Sequence, residues 1–288
     1  MYQTSMVLKK SSVQSLLNRF VFYRLHISVC SLCALWCSSN ILSVTYSIST
    51  WLIVSLSITL IYQLNRLSDV HEDSINSPVE HEINVQNQDV IIGASRIMTV
   101  LILTLALFSP VFIKFLIPLI AMGLAYNFRL IGKYRLKNVL IIKNIVSAFG
   151  WSFSTMLLPE LANNYIISPK MLYLFAYMFL GVMSSEVIWD LRDMEGDRSA
   201  NIRTMPITFG RRRTYMFITL LNLTGIAIIS YGILSGILNI LWATFILNNV
   251  ASLVWICFLS NISFNRKVSH QLLGLQILVL IVIALIFQ

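Results

Sequence analysis

Apolar runs of roughly 20 residues, the length at which an α-helix crosses a hydrocarbon core, follow one another along nearly the whole chain with short polar breaks between them. The pattern predicts nine spanning helices, over residues 23–42, 44–64, 94–109, 110–127, 138–158, 168–190, 210–233, 236–260 and 268–287. The third and fourth are separated only by Ser109-Pro110, a tight turn in which the proline pushes the preceding residue away from helix. The expected fold is all-α and multi-pass: nine transmembrane helices around a central cavity, arranged as two four-helix groups plus a ninth helix, in a single domain over residues 1–288.

Composition excludes an ordinary soluble domain. The chain is 57% apolar and 11% charged, with mean hydropathy +0.77, whereas soluble domains carry about 25% charged residues. With the N-terminus in the cytoplasm, the loops after the second, fourth, sixth and eighth helices face inward. They hold Arg129, Lys133, Arg135 and Lys137, then Arg192, Arg198, Arg203 and Arg211 to Arg213, then Arg266 and Lys267; only Lys114 and Lys170 fall towards the outside. This asymmetry sets the orientation. It also accounts for the net charge of +9 without nucleic acid as a partner. The expected location is the cell (inner) membrane, surrounded by membrane lipid, with no cleavable signal pattern ahead of Arg24. Cys30, Cys33 and Cys37 share a face of the first helix. They read as small, soft interface residues, and neither a disulfide nor a metal is assigned to them or to Cys257.

Two acidic clusters stand out against this background. Asn65-Arg66-Leu67-Ser68-Asp69-Val70-His71-Glu72-Asp73 reads N-x-x-x-D-x-x-x-D, and Asp190-Leu191-Arg192-Asp193-Met194-Glu195-Gly196-Asp197 reads D-x-x-D-x-x-x-D. Of the chain's 12 acids, eight lie in or beside them: Asp69, Glu72, Asp73, Glu186, Asp190, Asp193, Glu195 and Asp197. Residues four apart share a helix face, so Asn65, Asp69 and Asp73 form one column. Asp190, Asp193 and Asp197 form another, with Glu186 a turn earlier. Like charges so stacked repel, and a divalent cation removes the penalty. Mg²⁺ takes oxygen ligands and binds through one or two carboxylates plus substrate phosphates. One such cluster alone would read as helix-capping acids. Two, each ending the second helix of its four-helix group and each followed by a polar loop, read as facing halves of a Mg²⁺-diphosphate site. Gly196 is expected to let the chain leave the helical path inside the second cluster.

Cations capable of gripping phosphate oxygens lie nearby: Arg66, Arg129, Arg135, Lys137, Arg198 and Arg203. Lys143 is the most telling, because it falls inside an apolar segment, where a charge needs a partner. Tyr126, Phe149, Trp151 and Trp189 offer aromatic faces that suit an allylic cation, and the aliphatic wall suits an isoprenoid tail.

These features resemble the UbiA superfamily of intramembrane prenyltransferases. The resemblance rests on Asn65-x-x-x-Asp69-x-x-x-Asp73 and Asp193-x-x-x-Asp197. It is extended by the run from Asp190 to Gly210, which follows a D-x-x-D-x-E-G-D-R…T-x-P pattern, and by Tyr126-Asn127-x-Arg129 with Arg135-Leu136-Lys137. It implies Mg²⁺ held by Asp69, Asp73, Asp193 and Asp197, with Asn65 and Asp190 assisting, and a prenyl diphosphate as substrate. Arg129, Arg135, Lys137 and Lys143 would neutralise the departing diphosphate, and Tyr126 would face the cation. The stretch Asn76-Ser77-Pro78-Val79-Glu80-His81-Glu82 departs from the family, which carries an arginine there. The implied reaction is transfer of the prenyl chain to an aromatic or lipid acceptor. A terpene cyclase uses the same ionisation and stays open as an alternative. A cation transporter ranks below both, since transporter sites lie near the membrane midplane and these acids lie at helix ends.

Overall fold

The computed structural model describes residues 24–129, 135–163, 167–259, 275 and 278–288. Among them the chain is helical throughout. Helices α1 (Leu25–Leu42) and α2 (Ile48–Ser68) are followed by two short helices, α3 (Val70–Asn76) and α4 (Pro78–Gln86), and then by α5 (Gln88–Leu107) and α6 (Pro110–Asn127). A 3₁₀ turn, Leu136–Asn138, leads into α7 (Ile142–Ser152), a π-helical stretch at Phe153–Leu157, and α8 (Leu158–Ala162). The second half holds α9 (Pro169–Arg192), α10 (Met194–Ser199), α11 (Met205–Leu234) and, after a 3₁₀ turn, α12 (Ala243–Leu259). Residues 278–286 form a further helical piece, α13.

Seven helices among the described residues are long and apolar enough to cross a membrane, and Phe112–Asn127 is a shorter apolar one. Of the expected ninth helix, over 268–287, residues 275 and 278–287 are described, and 278–286 are helical. Local sequence explains most boundaries. Ser47 caps α2 by accepting from the Thr50 N–H at 3.2 Å, and Ser168 caps α9 by accepting from the Met171 N–H at 3.3 Å. Proline sits in the first turn of α6, α9 and α11, where its missing N–H costs nothing. The π-helical stretch precedes Pro159, which has no N–H for the Thr155 carbonyl four residues back, and the ladder loosens there.

Packing crosses the expected halves at α1 and α8. One apolar cluster joins α1, α2, α5, α6 and α8 through Leu35, Ile53, Val54, Ile102, Phe112 and Leu158. A second joins the other face of α1 to α9, α11, α12 and α13 through Cys37, Met156, Leu174, Ile229, Phe245 and Ala284. A third, with Val187, Leu191, Met205 and Ile218, lies beneath the second acidic cluster. Elsewhere large apolar side chains face outward, as along α5 at Ile97, Val100, Leu103 and Leu107, which is the surface a lipid-embedded helix presents.

Three boundaries differ from the hydropathy reading. The segment after the first acidic cluster is not a loop but α3 and α4. The helix expected from 94 begins at Gln88, because a helix continues past the apolar layer that hydropathy detects. The helix expected from 210 begins at Met205 and is interrupted at Gly210, whose φ of 79° suits a residue without a Cβ.

Candidate active site

Each acidic cluster straddles a break in its helix, where the sequence suggested an unbroken column. At Asp69, between α2 and α3, the backbone turns to φ −99°, ψ 25°. At Asp193, between α9 and α10, it turns to φ −96°, ψ 14°. Hydrogen bonds nevertheless run through both breaks. The Asp69 N–H reaches the Asn65 carbonyl at 2.9 Å and the Asp73 N–H reaches that of Asp69 at 2.8 Å; the Asp193 N–H reaches Trp189 at 3.1 Å and the Asp197 N–H reaches Asp193 at 3.0 Å. Spacing by four therefore survives while the helix axis bends.

The two bent segments, α3 and α10, pack on each other, and Asn76 joins them. Its Nδ2 donates to the Asp193 carbonyl at 3.3 Å, and its Oδ1 accepts from the Gly196 N–H at 2.9 Å. A Cβ on Gly196 would lie 2.3 Å from Asn76 Nδ2. Gly196 is thus required for this close approach, and not, as expected, for leaving the helical path: it sits inside α10.

Both clusters open onto one cavity of about 710 Å³, lined at this end by Asn65, Asp69, Asp73, Asp190, Asp193 and Asp197, with Lys137 and Lys143 beside them. Its walls continue through Tyr62, Tyr126, Trp151 and aliphatic residues of α1, α2, α6 and α12. The Trp151 indole N–H donates to the Tyr62 hydroxyl at 2.9 Å in an edge-on ring pair. Further in, Tyr177, Ser184, Asn222, Asn248 and Asn249 line the same space. There Asn248 Nδ2 donates to the Tyr177 hydroxyl at 2.6 Å and Asn222 Nδ2 donates to Ser184 Oγ at 3.2 Å.

Apart from Asp73, the cluster carboxylates at this end of the cavity are matched by cations among the described residues. Arg135 reaches Asp69 at 3.3 Å and also pairs with Glu72. Lys137 pairs with Asp69 and lies 3.2 Å from Glu72. Lys143 lies 2.8 Å from Asp190 Oδ1 and 3.0 Å from Asp197 Oδ2, the partner that its place in an apolar segment demanded. Asp190, only 1% exposed, also accepts from Asn144 Nδ2 at 2.9 Å. Arg192 pairs with Asp193 at 2.5 Å and stacks over the Trp189 ring. Burial, with help from Asp69, pushes the Asp73 carboxyl up to about 6. Burial pushes Asp197 up to about 6 as well, against the pull of Lys143. At Glu72 the opposite holds: Lys137 and Arg135 outweigh burial and hold the carboxyl below its usual value.

Other expected residues lie elsewhere. Arg66 does not line the cavity; its guanidinium donates to Gln63 Oε1 at 3.3 Å and to Asn84 of α4. Arg129 and Arg198 are exposed and do not line it either. Lys133 lies outside the described residues. Sequence reasoning missed Asn76, Asn144 and the inner amides Asn222, Asn248 and Asn249. For Asn144 and the inner amides the available signal was their type, since amides within apolar segments are costly unless bonded. Cys30, Cys33 and Cys37 are free thiols, Cys30 and Cys37 buried in the packing of α1.

The donor set fits Mg²⁺. It is all oxygen, and Asn65 Oδ1 is buried with no hydrogen-bond partner among the described residues, an acceptor oriented for a ligand. Among those residues no three carboxylate, imidazole or thiol groups converge on one point. An ion here would therefore complete its shell with waters and substrate oxygens, as Mg²⁺ commonly does.

The model of the UbiA prenyltransferase family matches residues 27–285. The chain belongs to that family. It is an integral membrane protein with the fold of its relatives. A UbiA homologue from Archaeoglobus fulgidus, solved with GPP and Mg²⁺, superposes with a TM-score of 0.71 at 14% identity, covering 93% of this chain and 98% of that one. A digeranylgeranylglyceryl phosphate synthase structure gives 0.60 at 18% identity, covering 94% and 97%. By sequence, the digeranylgeranylglyceryl phosphate synthase of Methanosphaera stadtmanae is 26% identical over 162 residues, 52% of this chain and 57% of the relative. That of Methanothermobacter thermautotrophicus is 24% identical over 182 residues, 60% and 61%. The match thus spans about three fifths of each of these relatives.

Proposed function

We propose that this family member is a Mg²⁺-dependent prenyltransferase that ionises a prenyl diphosphate and passes the prenyl chain to a lipid acceptor, releasing diphosphate. The observation that carries the reading is the meeting of two broken-helix acidic segments at one end of a cavity whose other walls are aromatic and aliphatic. Asp69, Asp73, Asp193 and Asp197, with Asn65 and Asp190, would hold the metal. Mg²⁺, when bound, supplies positive charge that stabilises the leaving diphosphate. Lys137 and Lys143 are near enough to shift from carboxylate to phosphate oxygens as substrate enters, and Arg135 fixes Asp69 and Glu72 from behind. Tyr126 closes α6 at the cavity wall, where its ring face would steady the allylic cation. The apolar lining keeps out water that would quench it.

The names of the two curated relatives favour a lipid acceptor bearing a glyceryl phosphate over an aromatic one. The clustering of cations at the site end favours a cytoplasmic orientation for it. Purified protein given Mg²⁺, geranylgeranyl diphosphate and geranylgeranylglyceryl phosphate, with products read by mass spectrometry, tests the reading. Transfer product and diphosphate in equal amounts are expected. A cyclic hydrocarbon formed without acceptor would assign a cyclase instead.

A further inference from the structure

Ionisation leaves a chemical requirement that the metal-binding carboxylates do not meet. A hydroxyl acceptor must lose a proton as its oxygen bonds to carbon, and the proposed reading assigns the aspartates of both clusters to the metal. Glu186 is placed differently. It lies on α9 one turn before Asp190, about 6 Å further into the bundle along the helix axis, and lines the same cavity. Its one hydrogen bond among the described residues comes from Ser147 Oγ of α7, at 2.6 Å, and no cation lies within ion-pair distance of it there. Lys143 of α7, with Asp190 and Arg192 of its own helix, is near enough to act on its charge. So are the phenols of Tyr62 on α2 and Tyr126 on α6. A carboxyl group without an ion pair inside a membrane protein is costly and marks function. Helix pinning to Ser147 alone would be served as well by glutamine.

Resting on the prenyl-transfer reading, we propose that Glu186 binds the nucleophilic hydroxyl of the acceptor and accepts its proton. The C1–O bond of the prenyl diphosphate breaks and its electron pair leaves with diphosphate. A lone pair of the acceptor oxygen forms the new C–O bond, and the hydroxyl proton passes to the free carboxylate oxygen of Glu186, later leaving to water. Ser147 holds the other oxygen, so that one lone pair faces the cavity. The acceptor class that follows is an alcohol, and the ether oxygen of the product would be the atom nearest Glu186.

The test compares wild type, Glu186→Gln and Glu186→Asp with geranylgeranyl diphosphate, Mg²⁺ and geranylgeranylglyceryl phosphate. Glu186→Gln keeps the Ser147 hydrogen bond. We expect its KM for the prenyl diphosphate to stay within about twofold while kcat for transfer falls about 10²–10⁴-fold, the usual contribution of a general base. Glu186→Asp is expected to recover part of the rate. Wild-type transfer by Glu186→Gln would overturn this proposal alone. So would a loss spread equally over both substrates and matched by a drop in melting temperature, which is the mark of a packing role. Failure of the wild type to transfer to any alcohol would overturn the prenyl-transfer reading and this proposal with it.

Discussion

The break at Asp69 and the break at Asp193 are alike in backbone and unlike in charge partners. Both bend the helix at an aspartate and carry hydrogen bonds from four residues before to four residues after. Yet Asp69 and Glu72 share two cations, Arg135 and Lys137, whereas Asp190 and Asp197 share one, Lys143. All three cations come from residues 135–143, the link between the halves. The carboxylate geometry is therefore a property repeated in each half. One segment that reaches both ways neutralises Asp69, Glu72, Asp190 and Asp197, while Asp193 takes its cation, Arg192, from its own cluster. Asn76 adds the direct tie, crossing from the first break to the second.

The contrast in cation number predicts unequal consequences. Lys143→Met leaves two buried carboxylates without a cation, a situation that costs about 3–5 kcal/mol when one partner of a buried pair is removed. Lys137→Met leaves Arg135 in place and should cost about 1 kcal/mol. Melting in detergent measures both, and equal losses would break the asymmetry. Gly196→Ala forces Asn76 away from the second break. It should destabilise by about 1–3 kcal/mol, the usual penalty of overpacking, and Asn76→Ala should relieve part of that penalty in the double variant. Additive losses would show that the two residues do not press on each other.

The smallest expected effect concerns protons. Without metal, Asp73 and Asp197 hold protons up to about pH 6 in the fold, while in the unfolded chain an aspartate releases its proton near pH ~3.9. The folded state binds more protons between these values, so this contribution to stability is present below the lower value and is lost as pH rises through about 6. Mg²⁺ needs the deprotonated carboxylates, so its stabilising shift in melting temperature should grow as pH rises from 5 to 7.5. A shift of equal size at both would remove Asp73 and Asp197 from the ligand set.

Much of this was legible in the sequence. Apolar runs gave the membrane helices, and spacing by four gave the two acidic columns. The misfit of Lys143 in an apolar stretch pointed to the ion pairs it makes. What stayed hidden has physical reasons. Spacing by four is satisfied both by a straight helix and by one bent at Asp69 or Asp193, so the breaks left no trace. Hydropathy records the apolar layer, so α3, α4 and the first turn of α5 read as loop. Arg66 adjoins Asn65 in sequence but is rotated about 100° around the helix, and it faces Asn84 and not the cavity. The role of Asn76 needs the two halves folded together, information that no local pattern holds.

The most direct measurement is Mg²⁺-dependent release of diphosphate from geranylgeranyl diphosphate, with geranylgeranylglyceryl phosphate as acceptor, by wild type, Asp69→Ala and Asp193→Ala, each first shown to be folded. If the two breaks act as one site, the wild type releases diphosphate only with Mg²⁺, and each variant loses that release by ~100-fold or more, the scale on which a key electrostatic group acts. Undiminished Mg²⁺-dependent release by either variant would contradict a shared site.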